Sequence, residues 1–170
     1  MRIFLYLCNF KRFDMDKSFT IRYQEFDSME ALERKDRELL EHAFEAAAGA
    51  YAPYSQFHVG AAVLMADGRV VCGSNQENAA YPSGLCAERT AIFAASAQYP
   101  EMRDYEAIAI VGVDAKGCRC EASPCGACRQ VLDEYEQRQG HPLRVVCYVS
   151  EHCIRVFASV ADLLPFGFKF

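Results

Sequence analysis

The sequence predicts an α/β protein, a three-layer α/β/α sandwich in which helices cover both faces of a mixed five-stranded sheet. Two observations support this fold class. Segments with helical and strand patterns follow one another in the order α-β-β-α-β-α-β-β-α, and a hairpin followed by alternating units is typical of a mixed sheet. The chain also has 170 residues, of which 52% are hydrophobic, which suits one domain with a buried core. We expect that domain over 28–170, preceded by an N-terminal extension of uncertain order over 1–27.

Four segments have helical character. Asp27 and Glu30 have the spacing of a capping box, and apolar residues recur behind them at helical spacing. This pattern predicts a first helix over 28–51, which ends before Pro53. The second segment is apolar nearly all round, as in a buried helix. The later helices are predicted over 86–97, 125–137 and 160–164.

Five segments have the length and composition of strands. The first two flank the turn Asp67-Gly68 and are predicted to form a hairpin. The third is a continuous apolar run, as expected for a central strand that is buried on both faces. The five strands are predicted over 57–65, 69–72, 107–113, 143–149 and 153–157.

The charge of the chain limits the partners that it can bind. The formal net charge is -5 and the basic residues are scattered, which disfavours polymeric nucleic acid and anionic membrane surfaces. No apolar stretch reaches the roughly 18 residues that a membrane-spanning helix needs. The first residues resemble a short signal h-region, but no small-residue cleavage site follows them. We therefore expect a cytoplasmic protein.

Nine cysteines are present, an odd number that does not suit a framework of paired disulfides. Cys125 and Cys128 lie at i and i+3 where a predicted helix begins, so their sulfurs face the same side, and Cys86 opens another helix. The free N–H groups and positive dipole end of a helix N-terminus favour the thiolate that a metal requires. Three such thiolates around one zinc ion would leave its fourth position open, as in catalytic sites.

Other interpretations of these cysteines are open at this point. A lone Cys-x-x-Cys also occurs in redox proteins and zinc ribbons, and Cys118 or Cys120 could close a structural four-cysteine site. The chain would then be a zinc-stabilised binding module without activity. Glu88 distinguishes the two hypotheses, because a carboxylate in an apolar helix needs either a partner or a catalytic task. From the first helical turn, its side chain could reach back toward the open zinc position.

These segments together resemble the zinc deaminases. Cys86-Ala87-Glu88 followed by Pro124-Cys125-Gly126-Ala127-Cys128 fits the signature of that superfamily. The stretches 51–62 and 75–81 and the terminal Leu163-Leu164-Pro165 are similar to the cytidine deaminases in particular. The resemblance covers the chain from about residue 29 to the end, with Ser74 and Gln76 as departures from the usual pattern.

The resemblance implies zinc-dependent hydrolysis of cytidine and deoxycytidine to uridine and deoxyuridine, with release of ammonia, in pyrimidine salvage. Cys86, Cys125 and Cys128 would bind one zinc ion per chain, and Glu88 would carry protons. The first ligand is cysteine rather than histidine, which favours a free nucleoside over a nucleotide or polynucleotide. A modified cytosine nucleoside, such as blasticidin S, is the alternative substrate.

The resemblance also implies how the nucleoside would be held. Asn75 and Glu77 would hydrogen-bond the ribose hydroxyls. Phe57 would stack on the pyrimidine ring, and the backbone N–H of Ala87 would meet the base carbonyl.

The remaining matches concern support and assembly. Arg89 and Gln130 would contact the ligand thiolates or support them. Tyr81, a further substrate-binding candidate, and Phe168 would reach the site of a neighbouring subunit in a homotetramer.

Overall fold

The computed structural model describes residues 16–169 and contains a single sheet with three long helices. Three short 3-10 turns accompany them. The strands and helices, numbered in chain order, are β1 (Gln24–Phe26), α1 (Arg34–Ala47), β2 (His58–Met65), β3 (Val70–Ser74), α2 (Ala87–Gln98), β4 (Tyr105–Val113), β5 (Arg119–Cys120), α3 (Gly126–Gln139), β6 (Arg144–Ser150) and β7 (Cys153–Phe157).

The sheet is mixed, as predicted, but it has seven strands rather than five. Its order is β1-β7-β6-β4-β2-β3, with the short β5 paired to β4. Among the pairings between these strands in residues 16–169, β4 with β6 is parallel and the others are antiparallel. The two unpredicted strands, β1 and β5, span three and two residues. Segments this short carry no measurable alternation of apolar and polar residues.

The first helix begins later than predicted, at Arg34 rather than residue 28. Residues Met29–Ala31 form a 3-10 turn instead, and Leu32 then adopts an extended conformation that interrupts the helical path. The helix also ends earlier than predicted, at Ala47. After a short turn, Tyr51 exchanges backbone hydrogen bonds with Asn75 and Glu77 of the loop after β3.

The other helices begin within a residue of their predicted positions. Cys86 is the N-cap of α2, and Cys125 is the N-cap of α3. The predicted terminal helix over 160–164 is shorter, a 3-10 turn over Val160–Asp162.

Helices lie on both faces of the sheet, which confirms the three-layer prediction. Leu39, Leu40 and Ala43 of α1 pack on one face, and residues of α2 and α3 pack on the other. Two glycines allow this close packing. A Cβ atom on Gly60 would lie 1.9 Å from the Ala43 carbonyl oxygen of α1, and one on Gly73 would lie 2.4 Å from the Ala91 nitrogen of α2. The helix backbones therefore rest directly on β2 and β3.

The helices of the described part of the chain are too short, or too polar, to cross a membrane.

Candidate active site and metal centre

The two helices on one face of the sheet bring three cysteine sulfurs together at their N-termini. Cys86 and Cys125 cap α2 and α3, and Cys128 lies in the first turn of α3. The Cys125 sulfur lies 3.9 Å from that of Cys86 and 3.5 Å from that of Cys128. All three sulfurs lie within 4.8 Å of one another, and none is in a disulfide.

This donor set suits zinc. Thiolate sulfur is a preferred ligand of zinc, and three ligands leave one tetrahedral position for water or substrate. Within residues 16–169, no fourth histidine, cysteine or acidic side chain joins the cluster, and Cys118 and Cys120 lie outside it. The geometry therefore favours an open site over the closed, structural one.

The thiols of Cys86 and Cys128 have pKa values shifted in opposite directions. Hydrogen bonding from Cys128, and then from Arg89, lowers the pKa of Cys86 to about 5. The hydrogen bond between Cys128 and Cys86, together with burial, raises the pKa of the Cys128 thiol. Cys86 therefore loses its proton before Cys128 does. The Nη2 atom of Arg89 lies 3.8 Å from the Cys86 sulfur, where its positive charge stabilises the thiolate.

Glu88 follows Cys86 by two residues and lies in the first turn of α2. Its side chain is only 3% exposed. Burial raises the pKa of its carboxyl group to about 7, and the nearby Cys86 charge contributes in the same direction. A buried carboxylate beside three sulfurs, and without an ion-pair partner among the described salt bridges, is a candidate proton carrier.

A cavity of about 380 Å³ lies beside the cluster. It collects side chains from the loop before β2 and the start of β2, the loop after β3, the start of α2 and the loop before α3. Six predicted site residues are among its lining: Phe57, Asn75, Glu77, Cys86, Glu88 and Cys125. Its volume and mixed lining suit a small, partly polar ligand.

Asn75 and Glu77 line this cavity and form hydrogen bonds with the segment 54–59. The Asn75 amide accepts a hydrogen bond from the Val59 backbone and donates one to the Phe57 carbonyl, at 2.7 and 2.9 Å. Glu77 accepts hydrogen bonds from the backbone of Tyr54 and from Ser55, whose hydroxyl group lowers the pKa of the Glu77 carboxyl. Each side chain keeps hydrogen-bonding capacity for a ligand after these contacts.

Comparison with known proteins agrees with this arrangement. A sequence model of the cytidine and deoxycytidylate deaminase zinc-binding region matches residues 33–140, more than half of the chain. The chain belongs to the cytidine and deoxycytidylate deaminase family. That family's zinc-binding region includes all three clustered cysteines and Glu88 of this chain.

Individual members of the family are similar over most of their length. A cytidine deaminase of Halalkalibacterium halodurans is 54% identical over 101 residues, which is 58% of this chain and 71% of that protein. A crystal structure of the Burkholderia pseudomallei cytidine deaminase has a TM-score of 0.68 and 42% identity, and covers 81% of this chain and 100% of that one. A crystal structure of the Mycobacterium tuberculosis cytidine deaminase has a TM-score of 0.60 and 39% identity, and covers 78% of this chain and 96% of that one.

Three further predicted site residues, Ala87, Tyr81 and Arg89, do not line the first cavity but lie close to residues that do. Ala87 is buried at the first position of α2, where its backbone N–H has no acceptor within the helix. Tyr81 and Arg89 line an adjoining cavity that shares Asn75, Glu77 and Cys86 with the first. Tyr81 is 72% exposed, and its ring lies 6.2 Å from that of Tyr54.

Gln130 and Phe168 contact each other. The Gln130 side chain donates to the Phe168 carbonyl and accepts from its backbone N–H, at 3.0 and 2.9 Å. The observed contacts of Gln130 thus fix the C-terminal segment to α3. The Phe168 side chain is 63% exposed.

Sequence reasoning assigned no role to five further cavity-lining residues: Ser55, Val59, Glu121, Ala122 and Ser123. Ser55 and Val59 lie within a segment used for the family resemblance, and the contact of Ser55 with Glu77 is a tertiary one. The other three lie in an irregular loop, where no periodicity indicates which side chain faces a cavity.

Proposed function

We propose that this protein is a zinc-dependent hydrolase that converts cytidine and deoxycytidine to uridine and deoxyuridine and releases ammonia. One observation carries the proposal: three sulfurs within 4.8 Å of one another lie at the end of a cavity that also holds the buried Glu88. Membership of the deaminase family, and relatives named cytidine deaminase, support the same activity.

Cys86, Cys125 and Cys128 would hold one zinc ion per chain. When bound, zinc supplies a Lewis acid that makes water a nucleophile near neutral pH. Three thiolates carry more negative charge than the metal dication carries positive charge. The N-termini of α2 and α3 and the guanidinium of Arg89 offset part of this excess.

Glu88 would carry the protons of the reaction. Its carboxylate takes a proton as water adds to C4 of the cytosine ring, and it delivers that proton to N3. It then takes the proton of the new C4 hydroxyl group and gives it to the exocyclic amine, which leaves as ammonia while the C4 carbonyl forms. The position of Glu88 in the first turn of α2 supports this role, since it keeps the carboxylate beside the sulfurs and out of bulk water.

The nucleoside would be oriented by four residues. Phe57 would stack on the pyrimidine ring, and the free N–H of Ala87 would donate to the base carbonyl. Asn75 and Glu77 would hydrogen-bond the ribose hydroxyls with the capacity left after their contacts to the 54–59 segment.

Two alternatives receive less support. A modified cytosine nucleoside, such as blasticidin S, is less favoured because the relatives at 54% and 45% identity are named cytidine deaminase. A structural zinc module would need a fourth ligand, and the cysteine cluster of the described residues has three members.

The assembly and cellular role are part of the proposal. We infer a homotetramer in which Tyr81 and Phe168 reach a neighbouring subunit's site. The Tyr81 side chain is exposed at the adjoining cavity, and the Phe168 side chain is exposed beside α3. Such a protein would act in pyrimidine salvage in the cytoplasm, with 1–27 as an extension to the catalytic domain over 28–170. Light scattering should then give a mass four times that of the 19.1 kDa chain.

A spectrophotometric assay combined with zinc quantitation tests the activity. Purified protein with one zinc per chain should convert cytidine and deoxycytidine, with the absorbance change of cytosine becoming uracil. Blasticidin S provides the comparison substrate. Turnover of blasticidin S alone, or no turnover of any of the three, would contradict the proposal.

A further inference from the structure

The proposed nucleoside cavity has an acidic lining. Three glutamates, Glu77, Glu88 and Glu121, are among the residues that line it. Within the described part of the chain, no lysine, arginine or histidine does so. Glu88 has a role in the proposed chemistry and Glu77 in ribose binding, whereas the mechanism makes no use of Glu121.

The backbone of Glu121 lies near Phe57, which is expected to stack on the base, and its side chain is 56% exposed. Glu121 belongs to the loop between β5 and α3, which a hydrogen bond of 3.2 Å from the Ala122 N–H to the Tyr148 carbonyl fixes to the sheet. A Cβ atom placed on Gly112 would lie 2.9 Å from the Phe57 ring and 3.2 Å from the Glu121 carbonyl oxygen. The ring of Phe57 and the backbone of Glu121 therefore meet over Gly112.

The charge of Glu121 is not cancelled by its one described ion-pair partner, Arg155. The Arg155 Nη1 atom lies 3.5 Å from the Glu121 carboxylate, while Arg155 Nε lies closer, at 2.9 Å, to Glu25 of β1. Two carboxylates thus share one guanidinium group, which leaves a net negative charge. Another guanidinium, that of Arg89, lines the adjoining cavity and contacts the Cys86 sulfur.

On the basis of the proposed function, we propose that Glu121 is a specificity-determining residue that selects substrates by charge. Its carboxylate disfavours cytosine nucleosides that carry a negative substituent and favours those that carry a positive one. For a ligand charge placed roughly 10 Å from this carboxylate, a distance on the scale of the cavity of about 380 Å³, Coulomb's law gives a weak but measurable interaction. At a partly solvated site, the interaction corresponds to about a two- to fivefold change in kcat/KM per unit charge.

The test is a series of substrates that differ only at the 5′ position: 5′-amino-5′-deoxycytidine, which is cationic, cytidine, which is neutral, and cytidine 5′-monophosphate, which is anionic. The kcat/KM value is measured for each at low ionic strength with the zinc-loaded wild type and with Glu121→Gln. Glu41→Gln is the matched control, because it removes one exposed carboxylate on α1, on the opposite face of the sheet.

Glu121→Gln should lower the preference for the cationic over the neutral substrate about two- to fivefold, and this difference should shrink as salt is added. Glu41→Gln should leave the preference unchanged. An equal preference in wild type and Glu121→Gln at low salt would overturn the inference, as would an equal effect of Glu41→Gln. Failure of the wild type to convert cytidine would instead contradict the proposed function, so the two failures are distinguishable.

Discussion

Arg89 lies at the junction between the cysteine cluster and α2. Its Nη2 atom is 3.8 Å from the Cys86 sulfur, and its Nε atom is buried with no hydrogen-bond partner in the described part of the chain. Removing this positive charge leaves the negative charge of the thiolates less compensated. We therefore expect Arg89→Ala to lower zinc affinity or turnover by roughly 10- to 100-fold.

Zinc titration with a chromogenic chelator, together with the cytidine assay, measures both quantities for Arg89→Ala. Arg103→Ala, an exposed arginine just beyond α2, is the control and should behave as wild type. Unchanged zinc affinity and unchanged turnover in Arg89→Ala would contradict the role given to Arg89.

At the residue scale, local spacing was informative where the functional atoms lie on helices. Cys125 and Cys128 at i and i+3, with Cys86 at another helix start, predicted the sulfur cluster that the structure contains. Glu121 could not be identified in this way. Glu121 lines the cavity because an irregular loop passes close to Gly112 of β4 and to the Phe57 ring. No pattern in the sequence predicts the path of that loop.

At the element scale, Gly60 sets the distance between α1 and the sheet. A Cβ atom at this position would lie 1.9 Å from the Ala43 carbonyl oxygen and 2.7 Å from the Ala47 nitrogen. Because both are helix backbone atoms, the overlap can be relieved only by moving α1. We expect Gly60→Ala to lower the free energy of unfolding by about 1–3 kcal/mol or more.

Thermal or urea unfolding, followed by circular dichroism, measures the effect of Gly60→Ala. Gly49→Ala is the matched control, since its Cβ atom would lie at an ordinary contact distance of 3.4 Å from the Ala46 carbonyl oxygen. Equal stability of the two variants would show that α1 does not rest on β2 as closely as described.

The order of helices and strands was largely predictable, because segments with a clear apolar pattern, either periodic or continuous, form α2, α3, β2, β4, β6 and β7. The incorrect or missing predictions of elements have physical causes. Strands β1 and β5 exist because they pair with β7 and β4, not because of their own composition. The start of α1 was misplaced because Leu32 takes an extended conformation despite the capping-box spacing before it.

For the whole molecule, zinc should couple two helices that otherwise have limited contact. The cluster joins the N-termini of α2 and α3, so metal binding would stabilise the folded chain relative to the unfolded one. We expect chelation to lower the Tm and added zinc to restore it. Cys128→Ser should lose most of this zinc dependence, whereas Cys120→Ser, outside the cluster, should keep it.

Differential scanning fluorimetry of wild type, Cys128→Ser and Cys120→Ser, with and without chelator, provides this comparison. The same Tm for wild type with and without zinc would contradict the coupling. A larger loss in Cys120→Ser than in Cys128→Ser would indicate a different ligand set.

The proposed activity depends on three cysteines that hold one zinc ion with its remaining position open beside Glu88. The most direct test is to compare zinc content and cytidine turnover in wild type and Glu88→Gln, which replaces the proton carrier by an amide of similar shape. We expect one zinc per chain in both proteins and a loss of turnover of about 100-fold or more in the variant. Wild-type turnover by Glu88→Gln with its zinc retained would contradict the account.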